Sequence, residues 1–148
     1  MNNIQDSIGY LLNLSARLIK RNLDTRLLEF DITTSQWAVL KLLSVESTLT
    51  QAQIAEKLNS DRATCGSIID RLAKKELILK KINATDRRSF DISLSQKGIR
   101  LVKTLTECAF ESNMQALKGI SENDIKILYK VLRQITDNLE GDKKWNGN

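Results

Sequence analysis

The chemistry available to this chain is limited by its residue types, because the sequence contains no histidine and only two cysteines. Two cysteines alone cannot build a zinc site of the usual four-ligand kind. There is also no glycine-rich phosphate loop, and a hydrolase would have to use a Ser–Lys or paired-carboxylate site. We therefore expect no catalytic residues, no metal and no cofactor, and an enzyme is the least supported class of function.

The two cysteines, Cys65 and Cys108, are the remaining candidates for covalent chemistry. Oxidation of Cys65 would make the protein a redox sensor. However, Cys65 shares a helical stripe with Ile68, Ile69 and Leu72, where cysteine usually acts as a small hydrophobic residue. Cys108 also lies beside apolar positions. Packing is the favoured interpretation for both thiols, and redox sensing stays as an alternative.

Cationic side chains are concentrated in one part of the chain. Residues 57–103 contain twelve Lys or Arg and five Asp or Glu, a net charge of +7, whereas the rest of the chain has a net charge of −2. A localised excess of this kind indicates a surface for a polyanion such as double-stranded DNA. A solvated basic surface would give the same count, so the interpretation depends on how the charges are positioned.

Two short helices joined by a tight turn lie at the start of this basic segment. Thr50 and Gln53 have the spacing of a capping box, which predicts a helix over residues 50–58. Residues 59–60 interrupt the pattern, and a second helix is predicted over residues 61–75. The two elements form a candidate helix-turn-helix.

The second helix of this motif has an outward face of short or basic side chains, which would let it lie deep in a major groove. Hydroxyl groups on that face can bond base edges or phosphates, and an arginine can bond guanine through two hydrogen bonds. The candidate DNA-binding residues here are Ser60, Arg62, Ala63, Thr64, Ser67, Arg71 and Lys74.

A β-hairpin is predicted directly after the second helix. Residues 90–94 alternate strictly between apolar and polar types, and residues 78–82 can pair with them. The polar link between the strands contains Arg87 and Arg88. At a hairpin tip these arginines can enter a minor groove, where the potential is most negative over A·T-rich sequence. The hairpin is therefore predicted to be the wing of a winged helix-turn-helix.

Amphipathic helices are predicted on both sides of the motif. Apolar steps of three, four and seven indicate one helix over residues 4–29, and capping patterns at Thr33 and Ser121 begin two more. Residues 95–117 and 121–139 are also predicted to be helical. Their inward residues would be Ile99, Val102, Leu105, Ala109 and Leu117 in the first, and Ile125, Leu128, Leu132 and Ile135 in the second.

Composition agrees with a mainly α fold that carries a small β-hairpin wing, since proline is absent and only six glycines are present. We expect one domain over residues 1–140, with a DNA-binding winged helix at about 33–94. The helices at about 4–29 and 95–140 have more apolar faces than a small core can absorb and are predicted to form a dimer, with a frayed tail at 141–148.

The hydropathy of the sequence does not indicate a membrane partner. No apolar run approaches the roughly 20 residues of a membrane-spanning helix. The first residues lack the basic start and apolar stretch of a secretory signal. We therefore expect a cytoplasmic protein.

Several stretches of the sequence match the motifs of one known family. They are residues 49–58 (Leu-Thr-Gln-Ala-Gln-Ile-Ala-Glu-Lys-Leu), Thr64, residues 70–75 (Asp-Arg-Leu-Ala-Lys-Lys), Asp86-Arg87-Arg88 in the wing, and residues 94–98 (Leu-Ser-Gln-Lys-Gly). In these residues the sequence resembles the multiple antibiotic resistance regulator (MarR) family, and the resemblance covers essentially residues 4–140. The family often has glycine at the two positions held here by Asn59 and Glu76.

This resemblance implies a ligand-responsive repressor that binds a pseudo-palindromic operator as an obligate homodimer. It adds Thr50 and Gln51 to the candidate DNA contacts, together with Asp86, which would orient the wing while Arg88 reaches the minor groove. For many members it also implies a small aromatic or phenolic effector that binds between the dimerisation and DNA-binding regions and weakens DNA binding. Trp37 is a candidate wall of such a pocket.

A winged-helix adaptor that binds protein and no longer binds DNA is the remaining alternative. Arg62, Arg87 and Arg88 argue against it, because a surface that has lost its DNA has no reason to stay basic. A gel-shift assay against genomic fragments at moderate salt distinguishes the two classes.

Overall fold

The computed structural model describes residues 3–143, which form six α-helices and one three-stranded antiparallel sheet. This confirms the mainly α fold with a winged helix-turn-helix. Within the described residues, no helix is both long and apolar enough to cross a membrane. The elements are α1 (Ile8–Leu27), α2 (Thr34–Glu46), β1 (Thr48–Thr50), α3 (Gln51–Lys57), α4 (Arg62–Lys74), β2 (Ile78–Ile82), β3 (Phe90–Leu94), α5 (Gln96–Ala116) and α6 (Glu122–Lys143).

The chain divides into two compact units, the first ending at Asn113 and the second beginning at Met114. The first unit contains the helix-turn-helix, formed by α3 and α4, and the wing, formed by β2 and β3. The second contains the end of α5 and all of α6. The expectation of one domain over residues 1–140 stays a prediction.

The N-terminal helix is shorter than predicted. Ile4–Asp6 form one turn of 3-10 helix, and Ser7 has an extended backbone (ψ 130°) before α1 begins at Ile8. A second 3-10 turn, Leu28–Phe30, follows α1. The prediction of a single helix over residues 4–29 is therefore wrong. Apolar spacing does not reveal a break in the backbone, and here it continues across one.

The three predicted capping patterns are confirmed. The Thr33 hydroxyl accepts from the backbone N–H of Gln36, whose side chain accepts from the Thr33 N–H, and the same reciprocal pair joins Thr50 and Gln53. The Ser121 Oγ accepts from the backbone N–H three residues later, at 3.1 Å. Each bond satisfies an N–H that the helix leaves unpaired, so α2, α3 and α6 begin where the caps predict.

β3 is the central strand of the sheet, with β1 and β2 antiparallel on its two sides. The β2–β3 hairpin has the predicted bounds and is confirmed. Sequence patterns did not reveal β1, because three residues are too short to show alternation and Thr50 was already identified as a helix cap. Since β1 leads directly into α3, this strand joins the wing to the helix-turn-helix.

One apolar core holds the elements of the first unit together. Its fully buried side chains come from α1 to α5 and from β3, so the helix-turn-helix and the wing share a single support. The largest of them are Leu27, Leu40, Leu43, Ile54, Ile69, Leu72, Ile92 and Leu105.

Several residues predicted to face inward are exposed. Ile99 is 41% exposed and Leu128 is 40% exposed, while Ile125, Leu132 and Ile135 are only partly buried. The inward placement of Ile99 and Leu128 is therefore wrong within this chain, because a helical pattern identifies an apolar face but not what covers it.

The last helix continues beyond its predicted end near Leu139. It reaches Lys143, so residues 141–143 are helical. Residues 144–148, which form the rest of the predicted frayed tail and include Trp145, lie outside the described residues.

Asn59 and Glu76 occupy the two positions where glycine was expected, and both have a left-handed backbone, with φ of 50° and 59°. Asparagine tolerates this conformation, whereas glutamate adopts it at a cost of about 1–2 kcal/mol. The chain therefore adopts a left-handed conformation without glycine at two places, in the turn between α3 and α4 and in the turn that follows α4.

Candidate nucleic-acid interface

The outward side of α4 presents the predicted base-reading residues to solvent, and its opposite side packs in the core. Cys65, Ile69 and Leu72 are buried, as the stripe predicted. Ser60, which precedes the helix, is partly exposed. The exposed candidates on α4 are Arg62, Ala63, Thr64, Ser67, Arg71 and Lys74.

The first turn of α4 is capped by Asp61, a residue that the sequence patterns did not assign to the interface. One carboxylate oxygen accepts from the Thr64 backbone N–H at 2.8 Å, and the other accepts from the Thr64 hydroxyl at 2.7 Å. These hydrogen bonds lower the pKa of Asp61. The spacing of Asp61 and Thr64 is that of an N-cap and its third helical residue, which is the signal that identifies the cap in the sequence.

The side chain of Gln51, at the start of α3, lies against α4 at Gly66, which has no side chain of its own. A Cβ added at Gly66 would lie 2.8 Å from the Gln51 Nε2 atom. On the same side, the Cys65 Sγ contacts the Gln51 carbonyl oxygen at 3.8 Å. The Gln51 side chain therefore lies beside α4, whereas the partly buried Thr50 hydroxyl is engaged as the cap of α3.

The tip of the wing is organised by Asn83. Its side-chain oxygen accepts from the backbone N–H groups of Thr85 and Asp86, both at 3.0 Å, and its amide donates to Asp91 at 2.7 Å. Its own N–H donates to the Ser89 carbonyl at 2.9 Å. Sequence patterns missed Asn83, although an asparagine directly after a strand is a common turn former.

Asp86 orients the basic end of the wing. Its Oδ1 accepts from the Arg88 backbone N–H at 3.0 Å and from the Arg88 Nε at 3.3 Å. The Arg88 side chain is nevertheless 93% exposed. Arg87 beside it is exposed too. The wing therefore projects both guanidinium groups into solvent from a backbone fixed by Asn83 and Asp86.

The structure brings three parts of the predicted site around one open polar cleft of about 670 Å³. Gln51 comes from α3, Arg62 from α4, and Asp86 and Arg88 from the wing. Three further residues of this lining were not predicted. The full lining is Gln51, Ala52, Arg62, Asp86, Arg88, Ser89 and Phe90.

Two lysines of the basic segment are engaged within the protein. Lys75 pairs with the Asp31 carboxylate at 3.3 Å and donates to the Gln36 side chain at 3.3 Å, which joins the end of α4 to the start of α2. Lys80 pairs with Asp70 at 2.9 Å, and its ammonium lies 5.6 Å from the centre of the Phe90 ring. Both stabilise the position of α4 relative to its neighbours.

Neither cysteine has the environment of a reactive thiol. Cys65 is buried, and burial raises the pKa of its thiol, to which the Asp61 carboxylate adds. Cys108 is partly exposed, and burial followed by the carboxylates of Glu111 and Glu29 raises its pKa. Because the thiolate is the reactive form, these shifts favour packing over redox sensing.

Comparison with known proteins relates this geometry to a family. Residues 32–90 match the model of the MarR family. The chain is similar to the uncharacterized HTH-type transcriptional regulator YwaE of Bacillus subtilis, with 28% identity over 134 residues, 90% of this chain and 78% of that protein.

Two solved structures are similar over almost their whole length. The DNA complex of S. aureus MepR has 27% identity and a TM-score of 0.81, and the match covers 93% of this chain and 99% of that chain. Bordetella bronchiseptica BpsR, whose DNA binding is regulated by 6-hydroxynicotinic acid, has a TM-score of 0.85 over 93% of this chain and 98% of its own. At 20% identity, the second likeness concerns the fold alone.

Proposed function

Because the chain belongs to the MarR family and is a DNA-binding transcription regulator, we propose that it acts as a homodimer on a pseudo-palindromic operator and that a small molecule controls its affinity. The observation that carries this proposal is the cleft that joins Arg62 and Gln51 to Arg88. It lets one protomer place α4 in a major groove and the wing in the adjacent minor groove. A cytoplasmic location follows from this function.

The two arginines have different tasks in this arrangement. Arg62 lies at the N-terminal end of α4, the part of a recognition helix that contacts base edges. Arg88 lies at the wing tip, where a guanidinium can enter a narrow minor groove. A protein-binding adaptor would not need cationic groups at both places, so the geometry favours DNA over that alternative.

Replacement of Arg88 and Ser67 should separate these tasks. Arg88→Ala is expected to weaken binding to every duplex, most where the minor groove is narrow, because it removes a charge without changing base contacts. Ser67→Ala should cost about 1–3 kcal/mol at one position of the site only, because it removes a hydroxyl from the reading face. Fluorescence anisotropy with cognate and random duplexes measures both effects.

Arg88→Lys is the matched variant, since it keeps the charge and loses the planar fork. It should restore part of the general affinity. Equal losses on cognate and random DNA for Arg88→Ala and Ser67→Ala would show that α4 does not present Ser67 to the bases.

The dimer is proposed from apolar side chains that the chain leaves uncovered. On α1, Ile8 is 65% exposed and Leu18 is 51% exposed. Exposed apolar side chains also occur on α5, where Phe110 is 64% exposed, and on α6, where Leu139 is 65% exposed. Apolar faces of this extent on soluble chains mark association surfaces, and a second copy is the commonest partner.

Sedimentation equilibrium of the protein alone should therefore give twice the monomer mass of 16.8 kDa, and a complex with DNA should contain two protomers. Substitution of Leu18 and Leu139 by lysine should shift the equilibrium toward monomer, because each would place a charge in an apolar interface. A wild-type protein that sediments as a monomer at micromolar concentration would refute the dimer.

A second cleft is the proposed effector site. It has a volume of about 430 Å³ and lies between α2, β3 and the start of α5. Its walls are mainly apolar, and the Lys103 ammonium can pair with a carboxylate, so it suits a small apolar acid. Trp37, on α2, is not part of this lining and is buried in the apolar core. The lining is Leu43, Ser44, Ser47, Ser93, Leu94, Ile99, Val102 and Lys103.

Titration with salicylate or 6-hydroxynicotinate should weaken operator binding about 5- to 150-fold, the usual range of such coupling. Trp37 should report the change if the Trp145→Phe variant is used, because the chain has only two tryptophans. Lys103→Met should abolish the response and leave DNA binding intact. If neither signal changes at millimolar concentration, this class of effector is wrong.

A further inference from the structure

The start of the recognition helix carries a carboxylate at a surface where binding to DNA mainly requires cations. Asp61 is exposed and directly precedes Arg62, the first residue of α4. Both of its oxygens accept from Thr64, one from the backbone N–H at 2.8 Å and one from the hydroxyl at 2.7 Å. These two bonds fix Asp61 and Thr64 relative to each other as one unit, the Asp61–Thr64 pair.

The Asp61–Thr64 pair has hydrogen-bond acceptors to offer and no donor. A threonine hydroxyl has one proton, and here it is donated to Asp61. An ionised carboxylate has only lone pairs, of which Thr64 takes two. The hydrogen bonds from Thr64 also keep the pKa of Asp61 below its ordinary value, so the group is ionised at neutral pH. The Asp61–Thr64 pair therefore presents to a ligand only lone pairs, together with the negative charge of the carboxylate.

The major-groove edges of the bases differ in how they meet such a surface. Adenine N6 and cytosine N4 are amines that donate, whereas guanine O6, guanine N7 and thymine O4 accept. An acceptor placed against another acceptor loses its water without gaining a hydrogen bond, and this is costly for a charged group. A fixed acceptor pair therefore discriminates mainly by rejecting the wrong base.

We propose that the Asp61–Thr64 pair reads one base in each half of the operator by accepting a hydrogen bond from the exocyclic amine of adenine or cytosine, and by rejecting guanine and thymine there. Asp61 is thus a specificity-determining residue of the interface. This inference rests on the proposed DNA-binding function. It also implies that Asp61 lowers the affinity for random DNA, because its charge repels phosphates wherever no amine is present.

Selection of bound duplexes from a randomised library tests this with the wild-type protein, Asp61→Asn and Asp70→Asn. Asparagine caps helices as well as aspartate does, so Asp61→Asn should fold. Asp70→Asn is the matched control, because Asp70 is exposed on the same helix and pairs with Lys80 at 2.9 Å. Asp70→Asn removes the same charge as Asp61→Asn, but it leaves the hydrogen bonds between Asp61 and Thr64 in place.

The wild type should show one position per half-site at which guanine and thymine are disfavoured about 5- to 150-fold, the worth of one good base contact. Asp61→Asn should lose that restriction and bind random duplexes more tightly. Asp70→Asn should also bind random duplexes more tightly but keep the restriction. Asp61→Ser, which also caps α4, provides a second variant and should behave as Asp61→Asn does.

Base analogues measure the amine contact directly. Purine in place of adenine, or 2-pyrimidinone in place of cytosine, removes only the exocyclic amine at the restricted position. The wild type should lose the same 5- to 150-fold, and Asp61→Asn should lose much less. The inference is overturned if both Asp61 variants keep the wild-type restriction, or if the wild type binds the amine-free duplex equally well. A wild type that binds no duplex at all contradicts the proposed function instead.

Discussion

Binding of duplex DNA should weaken about 10³- to 10⁴-fold when the salt concentration rises from 50 to 200 mM. The twelve basic residues of positions 57–103 include exposed groups on α4 and on the wing. If each protomer neutralises three or four phosphates, the dimer's log–log salt slope is about −5 to −7. Fluorescence anisotropy over a series of salt concentrations measures this slope.

Single lysine substitutions show whether the slope arises from the predicted surface. Lys74→Gln removes one charge from each protomer on α4 and should make the slope less negative by about 2 in the dimer. Lys20→Gln is the matched control, because Lys20 lies on α1 and pairs with Asp24 on its own helix at 2.7 Å. It should leave the slope unchanged. A salt dependence that is flat in the wild type would remove the electrostatic basis of the interface.

Gly98→Ala should lower the free energy of unfolding by about 3 kcal/mol, the upper end of the range for overpacking. A Cβ at Gly98 would lie 2.1 Å from the Leu77 carbonyl oxygen, a backbone atom that cannot rotate away. The same carbonyl accepts from the Ser95 N–H at 3.0 Å, and the Ser95 hydroxyl accepts from the Gly98 N–H at 3.0 Å. The first turn of α5 therefore closes the base of the wing, and no larger residue fits there.

Thermal unfolding should show this loss as a decrease in Tm of roughly 6–12 °C for a chain of this size. Gly9→Ala is the matched control, because Gly9 also lies in the first turn of a helix and an added Cβ would meet only the Ser7 hydroxyl at 3.9 Å. It should be neutral or stabilise by up to about 1 kcal/mol. Equal Tm values for Gly98→Ala and the wild type would contradict the close contact with Leu77.

The parts of the fold that depend on local signals were predictable. A capping box places two hydrogen bonds within four residues, so Thr33 and Thr50 located the starts of α2 and α3. The alternation of residues 90–94 likewise located β3, and the central positive charge indicated the segment that we propose to bind DNA. These signals need only the sequence, because the residues that interact are neighbours in it.

The remaining features of the fold and the site depend on contacts between residues far apart in the sequence, or on backbone geometry that leaves no pattern in the residue types. The helix is broken at Ser7, although the apolar spacing of the sequence continues through this residue. The close approach of Gln51 to Gly66 joins two helices, and no spacing in the sequence reveals it. Asn83 and Asp61 act through hydrogen bonds of their side chains, which a charge count or a hydropathy profile does not detect. The apolar faces of α1 and α6 were visible, but what covers them was not.

A dimer of this chain is proposed to recognise a symmetric DNA site through α4 and the wing. Selection of bound fragments from a randomised duplex library tests it most directly, with purified wild-type protein at about physiological salt. The expected result is a shared pseudo-palindrome whose half-site centres lie about 10–10.5 base pairs apart, one helical turn of DNA or roughly 34 Å. A folded protein that enriches no sequence, or only a single asymmetric half-site, would contradict the claim.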